Sequence, residues 1–189
     1  MIRIGILGDI GSGKSYVAKN FGYPVFNADI EVGKLYKKDR KIFNKLKKVL
    51  PKHVYSFPIK KSEISNAILA NKTNLKKIVT IIHLEIRKKM NTFLTKNKTR
   101  EIVILDIPLL LENKINSKKD VLVFVESKKI DILKSLKKRK NFNQKLLKKF
   151  KDIQLSKNFK KKKSQFIIKN DFTKKSVRNG INDILKQII

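Results

Sequence analysis

Short apolar runs alternate with amphipathic segments along most of this chain. Apolar runs predict buried strands at 2–7, 25–29, 102–107, 121–125 and 166–168. Segments with helical spacing of apolar residues surround these runs, beginning near residue 14 and ending with 177–188. Because strands that alternate with helices usually form a parallel sheet with right-handed crossovers, the pattern predicts an α/β fold with five parallel strands.

Two segments are too long or too polar to be simple crossovers. Residues 30–98 contain only helical stripes, so we expect a helical insertion that covers a substrate. Residues 141–163 are basic, with an apolar stripe at Leu146, Leu147, Phe150 and Ile153. On the preceding helix, predicted over 128–139, the spacing places Ile130, Leu133 and Leu136 toward the core.

A glycine-rich turn, GDIGSGKS at 8–15, lies between the first strand and the first helix. It fits the G-x-x-x-x-G-K-[ST] pattern, in which glycines let the backbone N–H groups surround an anion. Lys14 can reach the β and γ phosphates, and the Ser15 hydroxyl can ligate Mg²⁺. The predicted nucleotide-binding residues are Gly8, Gly11, Ser12, Gly13, Lys14, Ser15 and Tyr16. The loop therefore predicts binding of ATP or GTP.

Composition changes this picture little. The 189 residues suit one domain, and the lack of cysteine suits a reducing compartment. Apolar runs are too short for a signal peptide or a membrane span, so we expect a cytoplasmic protein. The formal charge of +32 would favour nucleic acid, but only six residues are arginine and the lysines are spread throughout. We therefore favour a compositional origin for the charge and expect no nucleic-acid partner.

Six side chains outside the loop are candidates for chemistry. Asp29 and Asp106 are expected at strand ends, where a carboxylate can hold Mg²⁺ or accept a proton, although strand-end Asp also caps helices. Arg139, with Lys160 as a second choice, can neutralise a transferred phosphate. His83 lies four residues before Arg87 on a predicted helix, and a structural role is favoured for a lone histidine.

Taken together, these residues resemble the dephospho-coenzyme A kinase family over nearly the whole chain. The similar elements are the glycine loop, Asn27-Ala28-Asp29, His83 with Arg87, and LDIPLLLE at 105–112. Downstream, Arg139, Gln154, Lys160 and Asn170 have the spacing of the family's lid arginine, glutamine, lysine and asparagine.

The resemblance implies a P-loop NTPase fold of the nucleoside-monophosphate-kinase-like class, with a five-stranded parallel sheet flanked by helices. Its core would comprise 1–29, 99–140 and 164–189, with a helical substrate-binding insertion at 30–98 and a lid at 141–163. ATP would phosphorylate the ribose 3′-hydroxyl of dephospho-CoA, with Mg²⁺, in a monomer or weak homo-oligomer without a membrane partner.

The resemblance also implies a role for each site residue. The catalytic residues would be Asp29, Lys14 and Arg139. The substrate would contact Asp29, His83, Arg87 and Asp106, and the metal would contact Ser15 and Asp29.

Several positions depart from the family pattern. Asn27 replaces an aspartate, Leu84 replaces a proline and Tyr16 replaces a threonine. Ser135 and Phe150 stand where basic residues are common. Another nucleoside or nucleotide kinase, and a P-loop nucleic-acid-binding ATPase, remain the alternative functions.

Overall fold

A five-stranded parallel sheet organises the fold in the computed structural model, which describes residues 1–139 and 142–189. The strands are β1 (Ile2–Gly8), β2 (Val25–Asn27), β3 (Ile102–Asp106), β4 (Val121–Glu126) and β5 (Phe166–Lys169). Their order is β2-β3-β1-β4-β5, and every neighbouring pair is parallel. The predicted α/β class and parallel sheet are confirmed.

The helices follow the predicted alternation with strands. They are α1 (Lys14–Asn20), α2 (Ala28–Lys38), α3 (Arg40–Val49), α4 (Lys61–Ala70), α5 (Lys72–Lys96), α6 (Lys129–Lys137), α7 (Gln144–Lys151), α8 (Lys157–Lys163) and α9 (Lys174–Ile188). Helices α2 to α5 occupy the stretch in which the sequence pattern contains no strand. Among the described residues, none of these helices combines the length and the apolar character that crossing a membrane requires.

The two central strands explain why the apolar runs are continuous rather than alternating. All five residues of β3 are buried, and β1 is buried from Ile4 to Gly8. In the sheet Ile4 pairs with Ile104, so both strands have side chains packed on each face. Helices α1 and α9 contribute Val17 and Ile181 to the same core. This burial fixes the carboxyl end of β1, from which the glycine loop leaves.

The chain divides into two compact units. The first, here called the sheet unit, comprises Met1–Asn27, Leu94–Phe142 and Gln154–Ile189, and contains every strand of the sheet. The second, here called the helical unit, comprises Ala28–Phe93 and Asn143–Ile153.

A buried carboxylate organises one corner of the helical unit. Glu63, in the first turn of α4, is 2% exposed and accepts hydrogen bonds from the backbone N–H groups of Tyr55 (2.9 Å) and Ser56 (3.3 Å). The Ser56 hydroxyl also donates to it. Burial raises the pKa of Glu63, but these hydrogen bonds outweigh burial and hold the pKa below its ordinary value. The loop before α4 is therefore fixed by one ionised side chain.

Two details of the sequence interpretation are wrong. Strand β2 ends at Asn27 and Asp29 lies in the first turn of α2, because the chain turns into a helix directly after three strand residues. On α6, Ile130 and Leu133 are exposed, whereas Ile132 and Leu136 are buried. The stripe that faces the core thus runs at a spacing of four residues. Asn141, the predicted first residue of the lid, lies outside the described residues.

Candidate active site

At two positions of the glycine loop, the backbone conformation is one that only glycine adopts without strain. Gly11 and Gly13 have φ values of 86° and 88°. A Cβ atom on Gly13 would lie 2.3 Å from the Asn170 side-chain nitrogen. Gly13 is also the N-cap of α1 and has no side chain that could accept hydrogen bonds from the first helical turn. The first turn of α1 is thereby left to interact with an anion.

Two polar side chains from neighbouring strand ends hold the centre of this loop. The Ser12 carbonyl accepts hydrogen bonds from Asn170 Nδ2 at 2.8 Å and from the Ser127 hydroxyl at 3.1 Å. Asn170 is itself buried, and its Oδ1 accepts from the Phe172 N–H at 2.9 Å. The loop conformation is therefore imposed by the residues that follow β4 and β5.

The Ser12 hydroxyl lies inside the loop. Ser12 is 1% exposed, and its Oγ atom has no hydrogen-bond partner among the described residues. A Cβ atom on Gly8 would lie 2.7 Å from this oxygen, so the loop closes tightly around it. A buried hydroxyl without a partner costs free energy.

Lys14 folds back over the loop. Its Nζ atom donates to the Asp9 carbonyl at 2.8 Å and to the Gly8 carbonyl at 3.2 Å. Ser15 and Tyr16 follow in α1 with exposed side chains, and the Tyr16 N–H donates to the Gly13 carbonyl at 3.0 Å. Two backbone carbonyls of the loop thus accept from the ammonium, while the Ser15 side chain is exposed to solvent.

Asn27 and Asp106 meet at the carboxyl ends of β2 and β3. The strand register pairs these residues, and Asn27 Nδ2 donates to Asp106 Oδ2 at 2.6 Å. Asp106 is 3% exposed. Two carboxylates at this distance would repel each other, whereas an amide nitrogen can donate a hydrogen bond to a carboxylate oxygen. Asn27 therefore acts as the hydrogen-bond donor of a buried carboxylate.

The remaining predicted substrate residues belong to the helical unit. Asp29 is exposed in α2, at the helix end where the dipole favours negative charge. His83 and Arg87 share one face of α5; burial and then the Arg87 charge hold the pKa of His83 below its ordinary value. The His83 Nε2 atom is buried and has no hydrogen-bond partner in the part of the chain that the structure describes. His83 is therefore a neutral imidazole with an unused ring nitrogen.

The predicted cations of the sheet unit have different environments. Arg139 follows α6 with an exposed side chain, and its N–H donates to the Leu136 carbonyl at 3.1 Å. Lys160, by contrast, is 3% exposed and its Nζ lies 3.4 Å from both the Gly8 carbonyl and the Asp9 carboxylate. Of the two side chains, Arg139 is exposed to solvent and Lys160 is enclosed by the protein.

Sequence reasoning missed Ser127 and gave Asn170 only by resemblance. Ser127 and Asn170 come directly after β4 and β5, and Asp106 is the last residue of β3. That shared position was the available signal, because the carboxyl ends of parallel strands meet at one edge of the sheet. The order of the strands in the sheet decides which of these residues contacts the loop. That order cannot be deduced from a single sequence.

A glycine loop that leaves the central strand of a parallel sheet and opens the next helix, with a lysine over its concavity, defines a P-loop nucleoside-triphosphate-binding fold. The solved structures it resembles share this fold. A crystal structure from Thermus thermophilus has a TM-score of 0.79 at 21% identity, covering 100% of this chain and 98% of that one. The dephospho-CoA kinase of Campylobacter jejuni has a TM-score of 0.61 at 21% identity, covering 98% and 96%.

The sequence comparisons define the kinase family within this fold class. The family model described as dephospho-CoA kinase matches residues 2–176. A dephospho-CoA kinase of Wolbachia pipientis is 34% identical over 190 residues, which span 98% of this chain and 97% of the relative. The chain belongs to the dephospho-CoA kinase family, whose members are kinases that use ATP. The predicted family and enzyme class are confirmed.

Proposed function

We propose that this protein transfers the γ-phosphoryl group of ATP to the ribose 3′-hydroxyl of dephospho-CoA. The hydroxyl oxygen forms a bond to the γ-phosphorus, the bond to the β-phosphate oxygen breaks, and ADP leaves with coenzyme A as the other product. The observation that carries this proposal is the built glycine loop, with Ser12 held by two side chains and Lys14 above it, in a chain that matches the family model over residues 2–176.

The triphosphate is assigned to the loop residues Gly8, Gly11, Ser12, Gly13, Lys14, Ser15 and Tyr16. Backbone N–H groups at the start of α1 and the Lys14 ammonium supply fixed positive charge, which stabilises the charge that develops on the transferred group. In this assignment Lys14 exchanges its contacts with the Gly8 and Asp9 carbonyls for phosphate oxygens.

Asp29 is assigned to the proton of the attacking hydroxyl, and Arg139 to the moving phosphoryl group. A carboxylate is the usual group that orients a hydroxyl nucleophile in kinases. Arg139 has an exposed guanidinium, which can form two parallel hydrogen bonds to phosphate oxygens.

The substrate side is assigned to His83, Arg87 and Asp106. Arg87 is exposed and can pair with a phosphate of dephospho-CoA, while the neutral His83 can donate or accept a single hydrogen bond. Asp106, held by Asn27, can accept a hydrogen bond from a substrate hydroxyl.

The donor set fits Mg²⁺. The Ser15 hydroxyl and the Asp29 carboxylate, its assigned ligands, are exposed oxygen donors, and Mg²⁺ commonly takes one or two protein oxygens together with phosphates and water. When bound, Mg²⁺ would neutralise charge on the β and γ phosphates. The cytoplasmic location, the monomeric or weakly associated state and the absence of a nucleic-acid partner stay predictions.

A substrate panel tests the proposed function. The protein is incubated with MgATP and dephospho-CoA, nucleosides and nucleotides, or polynucleotide, and ADP formation is followed in each case. We expect turnover only with dephospho-CoA and a product phosphorylated at the 3′ position. Turnover stimulated by polynucleotide alone, or a preference for a free nucleoside, would contradict the proposal.

Substitution of Lys14 tests whether this residue binds the triphosphate. Lys14→Ala should weaken ATP binding and lower the rate of transfer together, because the same ammonium serves ground state and transition state. An unchanged kcat/KM for ATP would remove Lys14 from the site.

A further inference from the structure

Lys160 is a buried lysine in a chain whose other cations are largely at the surface. The sequence has 47 Lys and Arg residues, yet Lys160 is the lysine that is buried in the described part of the chain, at 3% exposure. Lysine is almost never fully buried unless it is paired. Its position on α8 therefore requires a specific set of acceptors.

Three acceptors surround the Lys160 ammonium. Its Nζ atom lies 3.3 Å from Gln154 Oε1, 3.4 Å from Asp9 Oδ1 and 3.4 Å from the Gly8 carbonyl oxygen. A lysine has three N–H donors, so each acceptor has one. All three distances are long for charge-assisted hydrogen bonds, and only Asp9, which is 37% exposed at its side chain, carries a formal negative charge.

The Gly8 carbonyl is shared by two lysines. Lys14 Nζ lies 3.2 Å from this oxygen, against 3.4 Å for Lys160 Nζ. When Lys14 turns toward phosphate oxygens, Lys160 can keep the carbonyl hydrogen-bonded. The first turn of the loop then stays in place while Lys14 changes partners.

Gln154 and Lys160, on the other side of the contact with the glycine loop, are also held by hydrogen bonds. Gln154 is the residue at which the chain re-enters the sheet unit, and the next N–H, that of Leu155, donates to Glu112 Oε1 at 2.9 Å. The Lys160 carbonyl accepts from the Ser164 hydroxyl at 2.9 Å. Lys160 is thus fixed by its own helix and by the segment that precedes it.

We propose that Lys160 is a positioning residue for ATP, which fixes the glycine loop at Gly8 and Asp9 and thereby lets Lys14 exchange the Gly8 carbonyl for phosphate oxygens. This role rests on the proposed function of the loop. It acts through the loop backbone, with no contact between Lys160 and the nucleotide.

Substitution of Lys160 should affect ATP use more than the stability of the fold. Lys160→Met removes a buried ammonium together with its desolvation cost, and the charged partner that is left, Asp9, is 37% exposed at its side chain and stays hydrated. Lys160→Met should therefore fold with a thermal midpoint close to that of the wild type. Loss of the loop anchor should still impair ATP use, because small displacements of a positioned group cost large factors in rate.

The experiment compares Lys160→Met with Lys161→Met, the next residue of α8, whose side chain is 40% exposed and pairs with Glu126. For Lys160→Met we expect a KM for ATP raised by roughly 10-fold and a kcat/KM for ATP lowered by about 100-fold. The KM for dephospho-CoA should stay within about 2-fold, and Lys161→Met should change every parameter by less than about 2-fold. An unchanged KM for ATP in Lys160→Met would overturn the proposal, as would parallel losses of thermal midpoint and of affinity for both substrates.

Rescue gives a second, independent test. The chain has no cysteine, so Lys160→Cys carries a unique thiol that can be alkylated with 2-bromoethylamine in denaturant before refolding. The thiolate displaces bromide and rebuilds a lysine-like ammonium. We expect the KM for ATP to return toward the wild-type value; complete alkylation without recovery would contradict a positioning role.

Two further measurements apply if Lys160→Met does not fold or if the wild-type protein lacks the proposed activity. If Lys160→Met does not fold, Gln154→Leu removes one acceptor only, and should raise the KM for ATP with little change in the KM for dephospho-CoA; a wild-type value would count against the proposal. If the wild-type protein does not phosphorylate dephospho-CoA, the proposed function fails. Equilibrium titration of each variant with ATP then still reports whether Lys160 controls nucleotide affinity.

Discussion

Substitution of Gly13 by alanine combines two physical costs that the chain allows us to separate. The residue has a φ of 88°, and a methyl group there would lie 2.3 Å from Asn170 Nδ2. A non-glycine residue in the left-handed region costs about 1 to 2 kcal/mol. Asn170 must also retreat by about 1 Å to reach ordinary contact, and losing its bond to the buried Ser12 carbonyl costs about 1 to 3 kcal/mol. We expect Gly13→Ala to lower the free energy of unfolding by about 2 to 5 kcal/mol.

Two other glycines provide matched controls. Gly22 has a φ of 78°, and a methyl group added there would meet no atom within 4 Å, so Gly22→Ala carries the backbone cost alone, about 1 to 2 kcal/mol. Gly33 lies inside α2 with open space around it, and Gly33→Ala should stabilise the protein by about 0.5 to 1 kcal/mol.

Urea unfolding at equilibrium, with the KM for ATP measured in parallel, gives the comparison. Gly13→Ala should lose about 1 to 3 kcal/mol more than Gly22→Ala, and only Gly13→Ala should raise the KM for ATP. Equal losses in the two variants would refute the argument that the Asn170 contact fixes the loop.

Three further predictions address the carboxylates. Asp29→Asn should lower kcat by orders of magnitude with little change in ATP affinity; near-normal turnover in steady-state assays would remove Asp29 from the mechanism. Asn27→Asp places a second carboxylate beside Asp106, at the position where 2.6 Å separates the present pair. Without Mg²⁺ it should destabilise the protein by at least about 1 kcal/mol near neutral pH, because a hydrogen-bond donor is replaced by a like charge beside Asp106, which is 3% exposed. Urea unfolding at neutral and acidic pH should show the loss shrinking as one carboxyl is protonated, and a pH-independent loss would count against repulsion. Hydrogen bonds from the Ser176 hydroxyl and from Thr173 lower the pKa of Asp171 to about 2 from its ordinary value of 3.8. Because the folded-state pKa is the lower one, the stabilisation is present above pH 3.8 and is lost as the pH falls toward about 2; Asp171→Asn should flatten this part of the acid-unfolding curve, and an unchanged slope would disagree.

The fold was largely predictable because its signals are local. Continuous apolar runs belong to strands buried on both faces, and those of β1, β3 and β4 are long enough to be recognised. Strand β2 has three residues, so its end could not be placed and Asp29 was assigned to the wrong element. On α6 the apolar residues outnumber the buried positions, and only packing decides that Ile132 is buried while Ile130 is exposed.

The residues of the candidate site likewise fall into a part that the sequence predicts and a part that it does not. Gly13, Lys14 and Ser15 are consecutive, so their geometry follows from a short backbone segment and could be predicted with its chemistry. The residues that hold this segment come from far along the chain: Asn170 bonds Ser12 across 158 positions, and Lys160 reaches Gly8 across 152.

Sequence by itself determined that this chain has a phosphate-binding loop after its first strand, a parallel α/β core and the motifs of one kinase family. Tertiary structure decided which side chains hold that loop: Asn170 and Ser127 on the Ser12 carbonyl, Lys160 on Gly8. It also showed that Asn27 donates to Asp106. The reason is that hydrogen bonds between distant segments depend on the order and register of the strands. The backbone conformation of a loop, by contrast, depends on the residue types at consecutive positions.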